Sequence, residues 1–249
     1  MDLGAITGKI IGEDPGTLIV YGATRARARI GAAVNRLTGR CPRVRITCDV
    51  DGPGMLETYL AQGHADEYLD LCQGRIRGLT VFMTTRNLDG LAVPGLGAML
   101  GELLDRARSR GIRIDVQSHG STHVDFRSLA LDEQVENIST SIGDLGDAGH
   151  SVGEFRPPSL FMNMDTYRAC HILGIRGPVA RNVPSDYHLM EAANLPAEEG
   201  REFIRRECRK ELGRGRDLVV LFHFERIQDE RAPALLGEYL EVAESTGDG

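Results

Sequence analysis

Three short stretches hold the side chains whose types and spacing can do chemistry. "CDVDGPG" (48–54) sets Asp49 and Asp51 two residues apart, so on an extended segment both carboxylates face the same way. "VQSHGSTH" (116–123) sets His119 and His123 four apart, on one face if the segment turns helical. "LFH" delivers His223 at the end of an apolar run. Two neutral imidazoles and a carboxylate suit zinc or a related divalent ion, with positions left open for water and substrate. Such an ion lowers the pKa of water from near 16 to about 7 and polarises a carbonyl.

Each stretch alone has a plainer reading. "DVDGPG" is also the composition of a tight turn, a histidine pair after a strand is also a capped loop, and His223 inside "VVLFHF" is also a core histidine. Gly120 after His119 excludes the H-E-x-x-H pattern of zinc proteases, and the H-x-[DE] spacing of iron oxygenases is absent. The order and spacing of all three together carry the signal.

The elements that must position these residues alternate. "RVRITCDV" (43–50), "LTVFMTT" (79–85), "IRIDVQS" (112–118) and "DLVVLFHF" (217–224) read as strands buried in a sheet. Leu131, Val135, Ile138, Ile142 and Leu145 step by four and three, an amphipathic helix closed by Gly146 and Gly149. Further helices are predicted over 97–110 and from about Ala234 to Ser245. Strand–helix alternation favours a parallel sheet wrapped by helices, whose carboxyl-terminal crevice is where three of the four strands end on Asp49 and Asp51, His119 and His123, and His223. Residues 1–42 stand apart as a basic extension, with "GTLIVYG" read as a strand and "ATRARARIGAAVNRL" as a helix.

Composition bounds the rest. At 249 residues and 41% hydrophobic, the chain suits one α/β domain, assigned to 43–249. The five cysteines are odd in number, scattered and never C-x-x-C, which argues against disulfides and a cysteine zinc site. No run of 18 apolar residues exists and the start lacks a signal-peptide pattern, so a cytoplasmic protein is expected. The net charge of −7 hides an asymmetry: residues 15–48 hold seven arginines and no acid, which leaves −14 on the remainder. That basic stretch is either a solvated face against the acidic body or a contact for an anion, including an anionic membrane surface. "YGATRARARIG" is not a dinucleotide fingerprint, and no nucleic-acid partner is expected.

The motif order resembles the polysaccharide deacetylases, the NodB-like enzymes of carbohydrate esterase family four, over about residues 43–244. "TCDVDGPG" is similar to the family's first motif and to the D-V-D of one branch, and "HGSTHVDFRSLALDEQ" to its second, with Asp125 after the second histidine. "FRPPSLFMN" is similar to the R-P-P third motif and "LFH" to the fifth. The fourth motif's tryptophan has no counterpart, since the chain holds none; "GPVARNVPSDYHLME" offers Asp186, Tyr187 and His188 in its place.

The resemblance implies a distorted (β/α) barrel of about seven strands. It implies Asp51, His119 and His123 as ligands of one divalent metal, zinc first, with cobalt, nickel or iron as alternatives. It makes Asp49 the base, His223 the acid and Arg156 the partner that orients Asp49, with Leu221, Pro157 and Asp186 at the substrate. The implied reaction removes an N-acetyl or N-formyl group from an amino sugar or related small or lipid-linked substrate. Relatives of the same fold that open cyclic amides, and a non-catalytic binding protein, are the alternatives. A lipid-linked substrate would give the arginine-rich extension lipid phosphates to meet.

Overall fold

The computed structural model describes residues 15–246. Four parallel strands, β1 (Val44–Val50), β2 (Gly78–Met83), β3 (Arg113–Ser118) and β4 (Leu218–Leu221), lie in the order β3-β2-β1-β4. Helix α1 (Pro15–Thr38) precedes the sheet, and α2 (Pro53–Ala61) and α3 (His64–Cys72) cross from β1 to β2. Helix α4 (Leu96–Ser109) joins β2 to β3, and α5 (Leu131–Asp147), α6 (Met164–Ile172) and α7 (Ala197–Gly213) fill the long return to β4. Helix α8 (Ala232–Ser245) closes the chain.

Beyond the four regular strands, the circuit continues through irregular backbone. Single parallel bridges join Ser118 to Phe155 and Glu154 to Arg176. Val179 donates to the Phe155 carbonyl at 2.8 Å, and Asn182 reaches the free edge of β4, donating to the Val219 carbonyl at 3.3 Å and accepting from its N–H through the side chain at 2.8 Å. The expected distorted barrel is therefore present, with four regular strands among the described residues where about seven were implied.

The strand period of two sorts β1 between two environments. Val44, Ile46, Cys48 and Val50 join the large core that packs against the helices, including Leu100 and Leu103 of α4 and Leu235, Tyr239 and Leu240 of α8. Thr47 and Asp49 take the other face, where Arg156 meets both. Burying one such Leu or Ile stabilises the fold by about 1.5–3 kcal/mol, so the sheet is rigid where the polar face begins. On α5, Ile138 and Leu145 are fully buried, while Leu131, Val135 and Ile142 pack partly buried against a second cluster of Phe126, Phe155 and Cys170.

Two expectations change. "GTLIVYG" is not a strand: residues 16–22 belong to α1, which starts on Pro15 and runs through the alanine- and arginine-rich segment. Once helix is nucleated, continuing it costs less than starting a new element, and four apolar residues cannot outweigh that. The fourth strand also stops early, at Leu221 rather than residue 224. Phe222 makes a last bond to the Thr47 carbonyl at 3.0 Å, and His223 then caps a 3-10 turn over Phe224–Gln228. All five cysteines are free thiols, four of them buried. No helix among the described residues is long and apolar enough to cross a membrane.

Candidate active site

Asp49, Asp51, His119, His123, Arg156 and His223 meet at the carboxyl ends of the strands. Asp49 is buried at the end of β1, and its Oδ1 accepts from Arg156 Nη1 at 2.6 Å. Asp51 follows where β1 leads into α2: Gly52, with extended backbone, is the N-cap and Pro53 opens the helix, where its missing N–H costs nothing. The tight turn read in "DVDGPG" does not form: Asp49 is buried on β1, Pro53 and Gly54 already belong to α2, and the junction between them delivers Asp51 half-buried beside both histidines.

The His119–His123 segment is a loop, not the helical turn that would have placed both rings on one face. Gly120 adopts φ +91°, a left-handed conformation, and a Cβ there would stand 2.7 Å from Asn137 Oδ1. Asn137 on α5 holds the loop by accepting from Ser121 N–H at 2.8 Å and donating to Thr122 Oγ1 at 2.8 Å. The His119 backbone N–H is tied to the Met83 carbonyl at 2.9 Å. This loop brings the two imidazoles to 5.5 Å between centroids.

Ring tautomers follow from the bonds. His119 Nδ1 donates to the Arg156 carbonyl at 2.8 Å, which leaves the Nε2 lone pair facing the acids. That Nε2 lies 3.6 Å from Asp51 Oδ1 and 3.8 Å from Asp49 Oδ2, and His123 Nε2 lies 3.3 Å from Asp51 Oδ1. Burial pulls the His119 pKa down against the pull of Asp49 and Asp51, which favours the neutral ring a metal needs. Burial would raise Asp51, but the His123 hydrogen bond and the charges of His119, His123 and His223 prevail and hold it well below the usual carboxylate range.

Three ligand atoms, one each from Asp51, His119 and His123, lie within 4.8 Å of one another. Ligands about 2 Å from a tetrahedral ion stand roughly 3.3 Å apart, and the two spacings to Asp51 Oδ1, 3.6 Å and 3.3 Å, lie near that value. The donor set, a carboxylate and two ring nitrogens with one tautomer fixed, fits zinc or a neighbour in the same series.

Arg156 is the pillar behind this cluster. Fully buried, it donates through Nη1 to Asp49 and, at 2.8 Å, to Thr47 Oγ1, and through Nε to the Val179 carbonyl at 3.3 Å. Its guanidinium lies over the Phe82 ring at 4.2 Å, and Phe82 is the register partner of Asp49 on β2. The two prolines that follow it are buried and fix the backbone.

His223 is oriented from below. Asp186 has no exposed surface and accepts from His223 twice, from the backbone N–H at 2.6 Å and from Nδ1 at 2.9 Å. Burial alone would lower the His223 pKa, but the charge and hydrogen bonds of Asp186, with Asp49 and Glu225 behind, push it up to about 10. Burial would likewise raise Asp186, but His223 holds it below its ordinary value. The expectation that Asp186 contacts substrate is thus corrected: with no surface, it serves His223. Leu221 and Pro157 are both buried, Leu221 at the end of β4 opposite Thr47. Asp125 turns away from the cluster to cap the 3-10 turn at Phe126–Ser128, where Arg127 lowers its pKa. Thr47 and Asn137 were missed; Thr47, two before Asp49, was legible from the strand period, whereas nothing in the sequence ties Asn137 to the histidine loop.

Comparison with solved structures gives the architecture a name. A family 4 carbohydrate esterase from Streptomyces lividans, in complex with acetate, superposes with a TM-score of 0.55 at 19% identity, covering 83% of this chain and 90% of that one. The chitin deacetylase of Colletotrichum lindemuthianum gives 0.56 at 18%, covering 83% and 84%. The chain has the fold of the NodB-type deacetylases. A third neighbour with this deacetylase fold, a family 4 pseudoenzyme from Bacillus anthracis, gives 0.52 at 14%, covering 83% of this chain and 62% of that one. No family model matches the sequence, and no curated protein matches it.

Proposed function

We propose that the protein is a metal-dependent amide hydrolase that removes an acetyl or formyl group from an amino sugar or a related small or lipid-linked substrate. One observation carries this reading: a three-ligand cluster, an arginine-held aspartate and an aspartate-held histidine share one crevice in a deacetylase fold. An ion held by Asp51, His119 and His123, zinc first, would polarise the acyl oxygen and make water nucleophilic near neutral pH.

The remaining chemistry belongs to the chain. Asp49, fixed by Arg156, accepts the proton of the attacking water through Oδ2, the oxygen that faces His119. His223 is a cation at neutral pH and gives its proton to the departing nitrogen, which leaves poorly as an anion. Asp186 keeps the ring in the tautomer and direction for that transfer. The pseudoenzyme neighbour raises the non-catalytic alternative, and the complete set of acid, base and ligands here favours turnover.

The test couples metal content to hydrolysis. Elemental analysis of the purified chain should find about one divalent ion per molecule, lost in a His119→Ala, His123→Ala double variant, together with release of acetate or formate from N-acylated amino sugars. Wild-type protein that holds no metal after reconstitution with zinc would overturn the ligand assignment. We further propose that α1 meets an anionic membrane surface. Ile30, Val34 and Leu37 form an exposed apolar stripe at helical spacing, and the exposed Arg29, Arg36 and Arg40 flank it.

A further inference from the structure

Beside the histidine loop stands a hairpin that the proposed chemistry does not use. After β2 the backbone is stitched to the loop that carries His119 and His123: Thr85 N–H donates to the Gly120 carbonyl at 3.3 Å and Arg86 N–H to the Ser121 carbonyl at 2.8 Å. The chain then folds back. Arg86 and Ala92 are bridged antiparallel, Asn87 N–H donates to the Leu91 carbonyl at 3.2 Å, and Gly90 N–H to the Asn87 carbonyl at 2.9 Å. Gly90 takes φ +78° at the tip, and a Cβ there would stand 4.0 Å from Thr122 Cγ2. Thr122 is the neighbour in sequence of the proposed ligand His123. The hairpin is therefore part of the crevice rim on its metal-ligand side.

Its base is clamped and its tip is apolar. Arg86 forks onto Asp144 of α5 through Nε at 2.8 Å and Nη2 at 3.0 Å, and Thr85 Oγ1 donates to the same carboxylate at 2.7 Å. Above this base Leu88 and Leu91 are 80% and 63% exposed, and Ala92 and Pro94 after them are exposed as well. A loose loop can fold such side chains inward, whereas a bonded hairpin holds them in water, and apolar side chains gathered in water mark a place where something docks.

The surroundings select what docks. An anionic membrane surface needs cations beside the apolar residues, but the hairpin's arginine is already paired with Asp144 and its tip carries the exposed acid Asp89. A stable contact with a second copy of the chain takes about 20–30 residues a side, far more than a tip this short provides. An apolar group attached to the substrate needs no such area, and a molecule held at the metal ligands lies within reach of the tip.

We propose that Leu88 and Leu91 form a docking surface for an apolar substituent carried by the substrate, so that the protein prefers amides bearing such a group over plain ones. This rests on the amide-hydrolase reading for the identity of the amide, and it narrows the substrates of that reading to those with an apolar group beside the amino sugar.

The experiment measures binding by ligand-observed NMR on the full chain with zinc, using the octyl and methyl β-glycosides of N-acetylglucosamine, the former below its micelle concentration. Wild type should bind the octyl glycoside about tenfold more tightly, which about 55 Å² of apolar surface removed from water supplies. Replacing Leu88 and Leu91 together with Ser should bring that ratio toward one and leave the affinity for the methyl glycoside and the thermal midpoint unchanged, since both side chains already face water. Leu88→Ser alone, at the more exposed position, should lower the ratio too, and it decides the matter if the double variant does not fold. Equal affinities in wild type, no binding of either glycoside, or a ratio undiminished in the variants overturns the docking surface. So does a wild type that elutes as a dimer while the double variant is monomeric, which gives the tip to a second copy. Acetate release measured in parallel separates the two readings: both glycosides cleaved with equal affinity would sink the docking surface alone, and the octyl glycoside preferred but never cleaved would sink the hydrolase reading alone.

Discussion

The crevice and helix α1 are built on opposite plans. In the crevice, charged groups without surface are cross-tied: Arg156 to Asp49, Thr47 and Val179, and Asp186 twice to His223. Helix α1 touches the body through buried Ala32 and Asn35, whose amide donates to the Gly215 carbonyl at 3.0 Å and to Asp217 at 3.2 Å. Its opposite side leaves Ile30, Val34 and Leu37 65%, 49% and 87% exposed. Buried charges cost free energy and persist where each is paired and useful. Exposed apolar residues cost little and mark a surface with a partner. The crevice should therefore respond to substitution through stability and chemistry, and α1 through association.

Arg156→Leu should show the largest effect on stability. It leaves Asp49 buried without its cation, and breaking such a pair costs about 3–5 kcal/mol. Urea unfolding of the two proteins measures this directly. A loss under about 1 kcal/mol, the range of an exposed ion pair, would mean that the crevice is not held by buried charge.

Asp186→Asn should come next and shows its effect through pH. The His223 pKa of about 10 in the folded chain lies above the unfolded value near 6.5. Between those values the folded chain binds a proton that the unfolded chain has released, so stability falls as pH rises. The contribution is complete below about pH 6.5 and gone above about pH 10. Asp186, held low, supplies the opposite limb: its contribution is present above the ordinary carboxylate pKa and is lost on acidification. In the Asn variant the decline between pH 6.5 and 10 should flatten, and any hydrolytic activity that depends on protonated His223 should fall off at lower pH than in wild type. Unfolding curves at four pH values would reveal an unchanged slope and so refute the coupling.

What the sequence disclosed follows the same division. Parallel strands buried on both sides read as short β-branched runs, so β1, β2 and β3 were legible almost to the residue. The end of β4 was not, because "LFHF" stays apolar through the point where His223 leaves the ladder to cap a turn. "LIVY" misled for the same reason: an apolar run has no period from which to choose between strand and helix. At the site, Asp51, His119, His123, Arg156 and His223 were recognisable because type and order are both constrained by chemistry. The tie between Asp186 and His223 spans 37 residues and depends on how the loop folds beneath the ring.

The smallest effect on stability, and the sharpest contrast with the crevice, is expected from α1. Replacing Ile30, Val34 and Leu37 together with Ser removes side chains that already face water, so each should alter unfolding by about 0.5 kcal/mol or less. The same triple variant should lose binding to vesicles of phosphatidylglycerol and phosphatidylcholine, because an interfacial helix needs its apolar stripe as well as its arginines. Raising salt should weaken wild-type binding, since each arginine near an anionic surface contributes about 1 kcal/mol of screenable attraction. Sedimentation with vesicles at low and high salt checks both. Binding that survives the triple change but vanishes with salt would reduce α1 to a charged patch. A wild type that ignores vesicles at low salt while eluting as a dimer, with the variant monomeric, would give the stripe to a second copy of the chain.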